Sequence, residues 1–179
     1  MSSTSLVPAW LPLVGVVLGF VLGEGARYAR YRWYVSRNKR IIKTELSTIL
    51  SQVPHKRDIL SQAIAHLRQK QFMPTLSVRM VTTGYRSVLN EVYPHLTLVQ
   101  RNCLHVIYER IRVADEMMDG FEESFAKTAK EKIIDDYWNV YIGRLDELLQ
   151  SYSIVEVLAR KFLANKPVDV FAGPSSTEG

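Results

Sequence analysis

Residues 104–125 read "LHVIYERIRVADEMMDGFEESF". Leu104, Ile107, Ile111, Ala114, Met118, Phe121 and Phe125 recur at alternating intervals of three and four, a heptad seam along one helix face. A half-buried strand would instead place apolar residues at every second position. The stretch therefore sets the class as all-α. Downstream the spacing repeats through Ile134, Trp138, Tyr141, Leu145, Leu148, Tyr152, Val155, Ala159 and Phe162. The two seams are joined near "AKTAK" and predict a long antiparallel helical hairpin. Their aromatic content suits the core of a bundle better than a slim two-stranded coil. Ser153 and Glu156 match a capping box, so a break is expected near Ser153.

Upstream, Ile42, Leu46, Ile49, Leu50 and Val53 form one helix face, expected to stop before Pro54. Ile59, Leu60, Ala63, Ile64 and Leu67 form the next, with Asp58 as its N-cap. Pro74 and Pro94 bracket a third segment, "TLSVRMVTTGYRSVLNEVY", whose Gly84 predicts a bend or an irregular turn. The final residues, 166–179, hold two prolines without a helical period and read as a loose tail.

The N-terminal part differs in kind. From Leu6 to Gly23 the 18 residues "LVPAWLPLVGVVLGFVLG" carry no charge. At 1.5 Å per residue they reach about 27 Å, close to the core of a thin bilayer, and Gly25 and Ala26 extend them. The expected organisation is a short non-cytoplasmic N-terminus at 1–5, a transmembrane helix at 6–26 and a basic aromatic juxtamembrane segment at 27–43. A cytoplasmic helical bundle at 44–165 and the tail at 166–179 follow. Trp10 fits the outer interface, and Tyr28, Tyr31, Trp33 and Tyr34 the inner one. A secretory signal would carry its basic residues before the apolar run. Here "MSSTS" precedes it and the arginines follow, so the segment reads as a retained anchor with its N-terminus outside.

Charge supports that placement. The net charge is +5. Arg27, Arg30, Arg32, Arg37, Lys39, Arg40 and Lys43 lie beside the apolar run, whereas residues 44–179 hold 16 basic and 17 acidic residues. Such a cluster fixes orientation and attracts anionic headgroups. The interleaved "RYARYRWY" would also suit single-stranded nucleic acid, but its position against a span argues against that partner. Gly15, Gly19 and Gly23 repeat every fourth residue and would let two spans approach closely. Glu24 reads as an interfacial carboxylate within reach of Arg27. Within the bundle, Glu109, Asp115, Glu116, Asp119, Glu122 and Glu123 form an acidic stretch. It reads either as a solvated face or as a docking surface for a basic partner.

Chemistry is harder to find. No phosphate-cradling glycine loop, nucleophile elbow or H-E-x-x-H is present. His55, His66, His95 and His105 are never three or four residues apart, so no two share a helix face as metal ligands. Asp135 and Asp136, like Asp146 and Glu147, point about 100° apart on a helix and form no acid–base dyad. The lone Cys103 excludes an intramolecular disulfide and reads as a small buried residue. No catalytic residue, cofactor or metal is expected. The partners expected are lipid and either a protein or a second copy of the chain.

Residues 72–116 carry a further pattern in Pro74, Thr75, Leu76, Tyr93, Leu96, Leu98 and Tyr108. It resembles that of small uncharacterised bacterial single-span membrane proteins with a helical cytoplasmic domain. An aromatic residue that such proteins place soon after the threonine is absent here, where Arg79 and Met80 stand. The resemblance implies a bacterial inner membrane and brings no activity with it. A mitochondrial outer-membrane anchor would have similar flanking charges. The functional expectation is an anchored adaptor or scaffold; the alternative is an oligomerising effector that perturbs the membrane.

Overall fold

A computed structural model describes residues 10–71, 79–128 and 135–166. These form α1 (Leu11–Arg68), α2 (Thr83–Val92), a 3-10 turn (Tyr93–His95), α3 (Leu98–Thr128) and α4 (Asp135–Leu163), with no strand among the described residues. The all-α class stands. Phe125, Ile134 and the tail from residue 167 on fall outside what is described at the side-chain level.

The hairpin forms where the two seams predict it. Cys103 Sγ lies 3.8 Å from the Leu158 carbonyl, and the Phe121 and Tyr141 rings meet edge to face at 4.9 Å. Contacts that run from 103 with 158 to 121 with 141 make α3 and α4 antiparallel. Leu104, Ile107, Ile111, Ala114, Met118 and Phe121 are buried, as are Tyr141, Leu145, Leu148, Tyr152, Val155, Ala159 and Phe162. Trp138 is half-buried against the same core.

Three expectations about helix boundaries are corrected. The helix expected to end before Pro54 continues through it, and α1 runs unbroken for 58 residues, about 87 Å long. Asp58 accordingly lies inside α1 and caps nothing at a helix start. The reason is tertiary. Leu46, Ile49, Val53, Leu60, Ala63, Ile64 and Leu67 keep one buried stripe across the proline, and Pro54 itself points to solvent, where its missing donor costs least. Nor does α4 break at Ser153. Its hydroxyl donates to the Leu149 carbonyl one turn back, while Tyr152 and Val155 stay buried on either side.

A real capping box stands elsewhere, at Thr97 and Gln100. Gln100 N–H donates to Thr97 Oγ1 at 3.2 Å, and Thr97 N–H to Gln100 Oε1 at 3.0 Å, opening α3. Both α1 and α4 end in Schellman motifs. Lys70 and Asn165 take the left-handed conformation (φ 56° and 51°), and Gln71 and Lys166 N–H reach back to the His66 and Lys161 carbonyls.

α2 and the 3-10 turn lie antiparallel to α1. Tyr85 N–H reaches Glu45, Asn38 donates to Glu91 at 2.6 Å, and Lys39 Nζ donates to the His95 carbonyl at 2.7 Å. Gly84 is regular helix rather than a bend. The absence of a side chain matters there for another reason. The Glu45 carboxylate sits on it and accepts from Gly84 N–H at 2.5 Å and Tyr85 N–H at 3.1 Å, capping α2 from a neighbouring helix.

Candidate functional site

The first part of α1 stands clear of the bundle. Leu13, Val16, Phe20 and Leu22 are 68%, 72%, 70% and 64% exposed, and among the described side chains of the helix the first buried one is Asn38. A Cβ placed on Gly15, Gly19 or Gly23 would meet nothing within 4 Å, so the glycine face is open along its length. Glu24 pairs with Arg27 at 3.2 Å. The span expected at 6–26 is not found: among the described residues no helix is long and apolar enough to cross a membrane. Residues 6–9 of that segment lie outside the described residues.

The basic segment divides in two. Arg32 lies over the Tyr28 ring at 5.9 Å and Arg37 over Trp33 at 5.7 Å, cation–π contacts made on an exposed helix face. Arg27, Arg30, Arg40 and Lys43 also face solvent. Lys39 turns the other way and holds the 3-10 turn through the His95 carbonyl. Tyr31 Oη and His95 Nε2 are 2.7 Å apart, and their rings meet edge to face. Tyr34 has its pKa raised, first by the hydrogen bond to Glu91.

The acidic stretch of α3 is largely engaged. Arg112 donates to Glu109 at 2.9 Å and to Glu116 at 2.6 Å, and Arg79 pairs with Asp119. These bonds hold the Glu109 carboxyl below its usual range and raise both guanidinium groups. Glu123 is exposed, and the side chain of Glu122 is not described. Asp115 turns inward. Burial raises its pKa against the opposing charge of Lys56, which is itself buried at 6% exposure and held low by desolvation. The Tyr152 hydroxyl lies buried near this pair with no hydrogen-bond partner among the described residues, and burial raises its pKa.

Between α2 and α3 lies an open groove of about 500 Å³. Its floor is the Tyr85–Tyr108 stack, with ring centroids 3.7 Å apart and planes within 5°, and its rim carries Arg79, Arg86, His105 and Glu109. Burial raises both phenols, with the Glu45 carboxylate adding to the effect on Tyr108. No group of three His, Cys, Asp or Glu able to hold a metal occurs among the described residues. Cys103 is buried between α3 and α4, and desolvation pushes its thiol up to about 11, the state of an inert rather than a nucleophilic cysteine.

The structure thus keeps the glycine face and the exposed arginines on one bare rod, and ties most of the acidic residues to their neighbours. Sequence reasoning missed Glu45 and Lys56, and it named Tyr31 and His95 without pairing them. Two of them left a signal: Glu45 and Lys56 are charged residues at positions of an otherwise apolar stripe, which calls for a buried partner. Tyr31 and His95 meet only through tertiary packing. No protein-family model matches the chain, nor does any curated protein or solved structure.

Proposed function

We propose that the chain is a membrane-anchored helical interaction protein, an adaptor or scaffold at the cytoplasmic face that binds a partner protein, itself, or both. The observation that carries this reading is the continuity of α1. One helix leaves an apolar, bare segment and passes without a joint into the core of a bundle. An apolar surface that encircles a helix has no stable place in water. As a helix, the 18 uncharged residues from Leu6 to Gly23 would reach about 27 Å, and arginines following such a run favour an inner position for the bundle by the positive-inside tendency. A bacterial inner membrane is the favoured setting and the mitochondrial outer membrane the alternative. The reading assigns no catalytic residue, metal, cofactor or nucleic acid.

A second reading, a membrane-perturbing effector assembled through its spans, is favoured by the open Gly15, Gly19 and Gly23 face. One experiment separates the two. Tagged full-length protein is extracted gently from its own membranes and examined by native mass spectrometry. A stoichiometric second protein supports the adaptor. A defined homo-oligomer that Gly19→Ile dissolves, together with dye leakage from liposomes, supports the effector. Recovery in the soluble fraction, or of a lone monomer, counts against both.

A further inference from the structure

The end of the bundle nearest the bare rod carries a small apolar corner that the bundle does not use. In "YPHLTLV" (93–99), Leu96 is buried, but Tyr93, Leu98 and Val99 are 44%, 69% and 48% exposed. The corner is held firmly. Arg101 lies over the Tyr93 ring at 4.6 Å and donates to the Leu96 carbonyl at 3.0 Å, and the Thr97–Gln100 box fixes the first turn of α3.

Its depth along α1 is set by two contacts, His95 to Tyr31 and the His95 carbonyl to Lys39. Tyr31 belongs to the exposed aromatic group Tyr28, Tyr31, Trp33 and Tyr34, which follows the apolar run within about 15 Å of Glu24 at 1.5 Å per residue. α3 runs parallel to α1, since Tyr108 lies by Glu45 and Asp115 by Lys56, so its N-terminus points to the same end. α4 returns there too, bringing Phe162 and Asn165 beside Lys39, Lys43 and Leu96.

We propose that this corner is a second membrane contact, with Tyr93, Leu98 and Val99 entering the interfacial layer of an anionic bilayer and the surrounding lysines and arginines meeting its headgroups. The inference rests on the anchored reading above. An aromatic and two aliphatic residues with Lys39, Lys43 and Arg101 close by are the composition that interfacial segments use. Two fixed points, the span and the corner, would hold the bundle at one tilt on the surface rather than leave it free to swing on a rod.

The test uses full-length protein carrying Leu98→Cys, labelled with an environment-sensitive fluorophore; the buried native Cys103 stays unlabelled. Parallel samples carry the label at Val140, at the far end of α4, or at Leu18 in the apolar run. Each is reconstituted into vesicles of mixed phosphatidylcholine and phosphatidylglycerol containing headgroup-proximal spin-labelled lipid. The expected result is strong quenching at Leu98 and none at Val140, with the Leu98 quenching reduced in phosphatidylcholine alone. Quenching at Leu18 without quenching at Leu98 would overturn the corner and leave the anchor standing. An unquenched label at both positions would overturn the anchored reading and the corner with it. A Leu98 label shielded only as protein density rises would assign the corner to a second copy instead. Equal quenching in both lipid mixtures would overturn the anionic requirement.

Discussion

The two halves of α1 share one backbone and differ in what surrounds them. Residues 13–22 present valine, leucine and phenylalanine on every side, and each is at least 49% exposed. From Ile42 onward the apolar residues keep to one stripe, and Ile42, Leu46, Ile49 and Val53 are at most 1% exposed. Apolar content is therefore not what separates them. Its angular distribution is. A stripe is completed by other helices, whereas an all-round apolar surface has to be covered on every side, by protein or by lipid. The same helix can serve both because helical hydrogen bonding is internal and indifferent to the medium outside.

The largest effect should come from cutting into the stripe. Leu46→Ala removes a side chain with no exposed surface and should destabilise the bundle by about 2–5 kcal/mol in denaturant unfolding of the full chain in detergent. Leu18→Ala, on the bare half, should leave the same transition within about 0.5 kcal/mol. Equal losses from the two would break the comparison. Pro54→Ala sharpens it from the other side. If packing alone carries α1 across the proline, restoring the missing donor should stabilise the bundle by about 2 kcal/mol, the helix gain less the added unfolded-state entropy. No gain would mean that the Leu50 carbonyl is satisfied in some other way.

Gly84→Ala comes next. A methyl group there would meet the Glu45 carboxylate directly and Ile41 Cγ2 at 3.1 Å, pushing the cap off the start of α2. A loss of about 1–3 kcal/mol is expected, because two N–H groups lose a charged acceptor. Glu45→Gln keeps an acceptor and should lose less. The reverse order would put the constraint in the backbone rather than in the carboxylate.

Raising the pH acts mainly on the bundle, since of the raised tyrosines only Tyr34 lies on the exposed part of α1. Tyr85, Tyr108, Tyr152 and Cys103 all have raised pKa values in the folded chain. The unfolded chain loses those protons first, so their contribution is complete below the ordinary values and fades as the pH climbs, for Cys103 from 9.0 to about 11. Lys56 opposes them. Its lowered pKa leaves the unfolded chain holding the extra proton until 10.5, which favours the fold as the pH rises. Four buried groups against one predict a net fall in unfolding midpoint between about pH 8 and pH 11, with thiol labelling of Cys103 appearing only as the bundle opens.

The long seams were legible because a heptad repeat over four or more turns admits few other structures, and all of their described members are buried or half-buried. Boundaries were less so. Ser153–Glu156 and Thr97–Gln100 both fit a capping box, but only the second has a free helix end to cap, and that is decided by burial on either side. Pro54 misled for the same reason: a local rule lost to a stripe that continued beyond it. The Glu45 cap and the Tyr31–His95 contact join residues 39 and 64 apart in sequence, a distance over which no periodicity speaks. The glycine face and the basic segment could be located from the sequence, while the inward turn of Lys39 could not.

The smallest effect tests the two halves by their ion pairs. Glu24–Arg27 lies on the bare half, with side chains 52% and 80% exposed. Arg57–Glu156 links α1 to α4, with 47% and 19% exposure, and Glu156 is also held by Arg160, whose bond depresses its pKa first. Exposed pairs contribute little because water screens them and long side chains must be ordered. Arg57→Ala should therefore cost at most about 1 kcal/mol of bundle stability, less in high salt, while Arg160 keeps Glu156 satisfied. Arg27→Ala should not move the unfolding transition. Its effect, on the proposed orientation, belongs to the membrane, and protease access to the two ends of reconstituted protein would show it as a rise in the inverted fraction. A shift in unfolding with no change in orientation would mean that the bare half is joined to the bundle's stability after all, and that the boundary near Asn38 divides surfaces without dividing function.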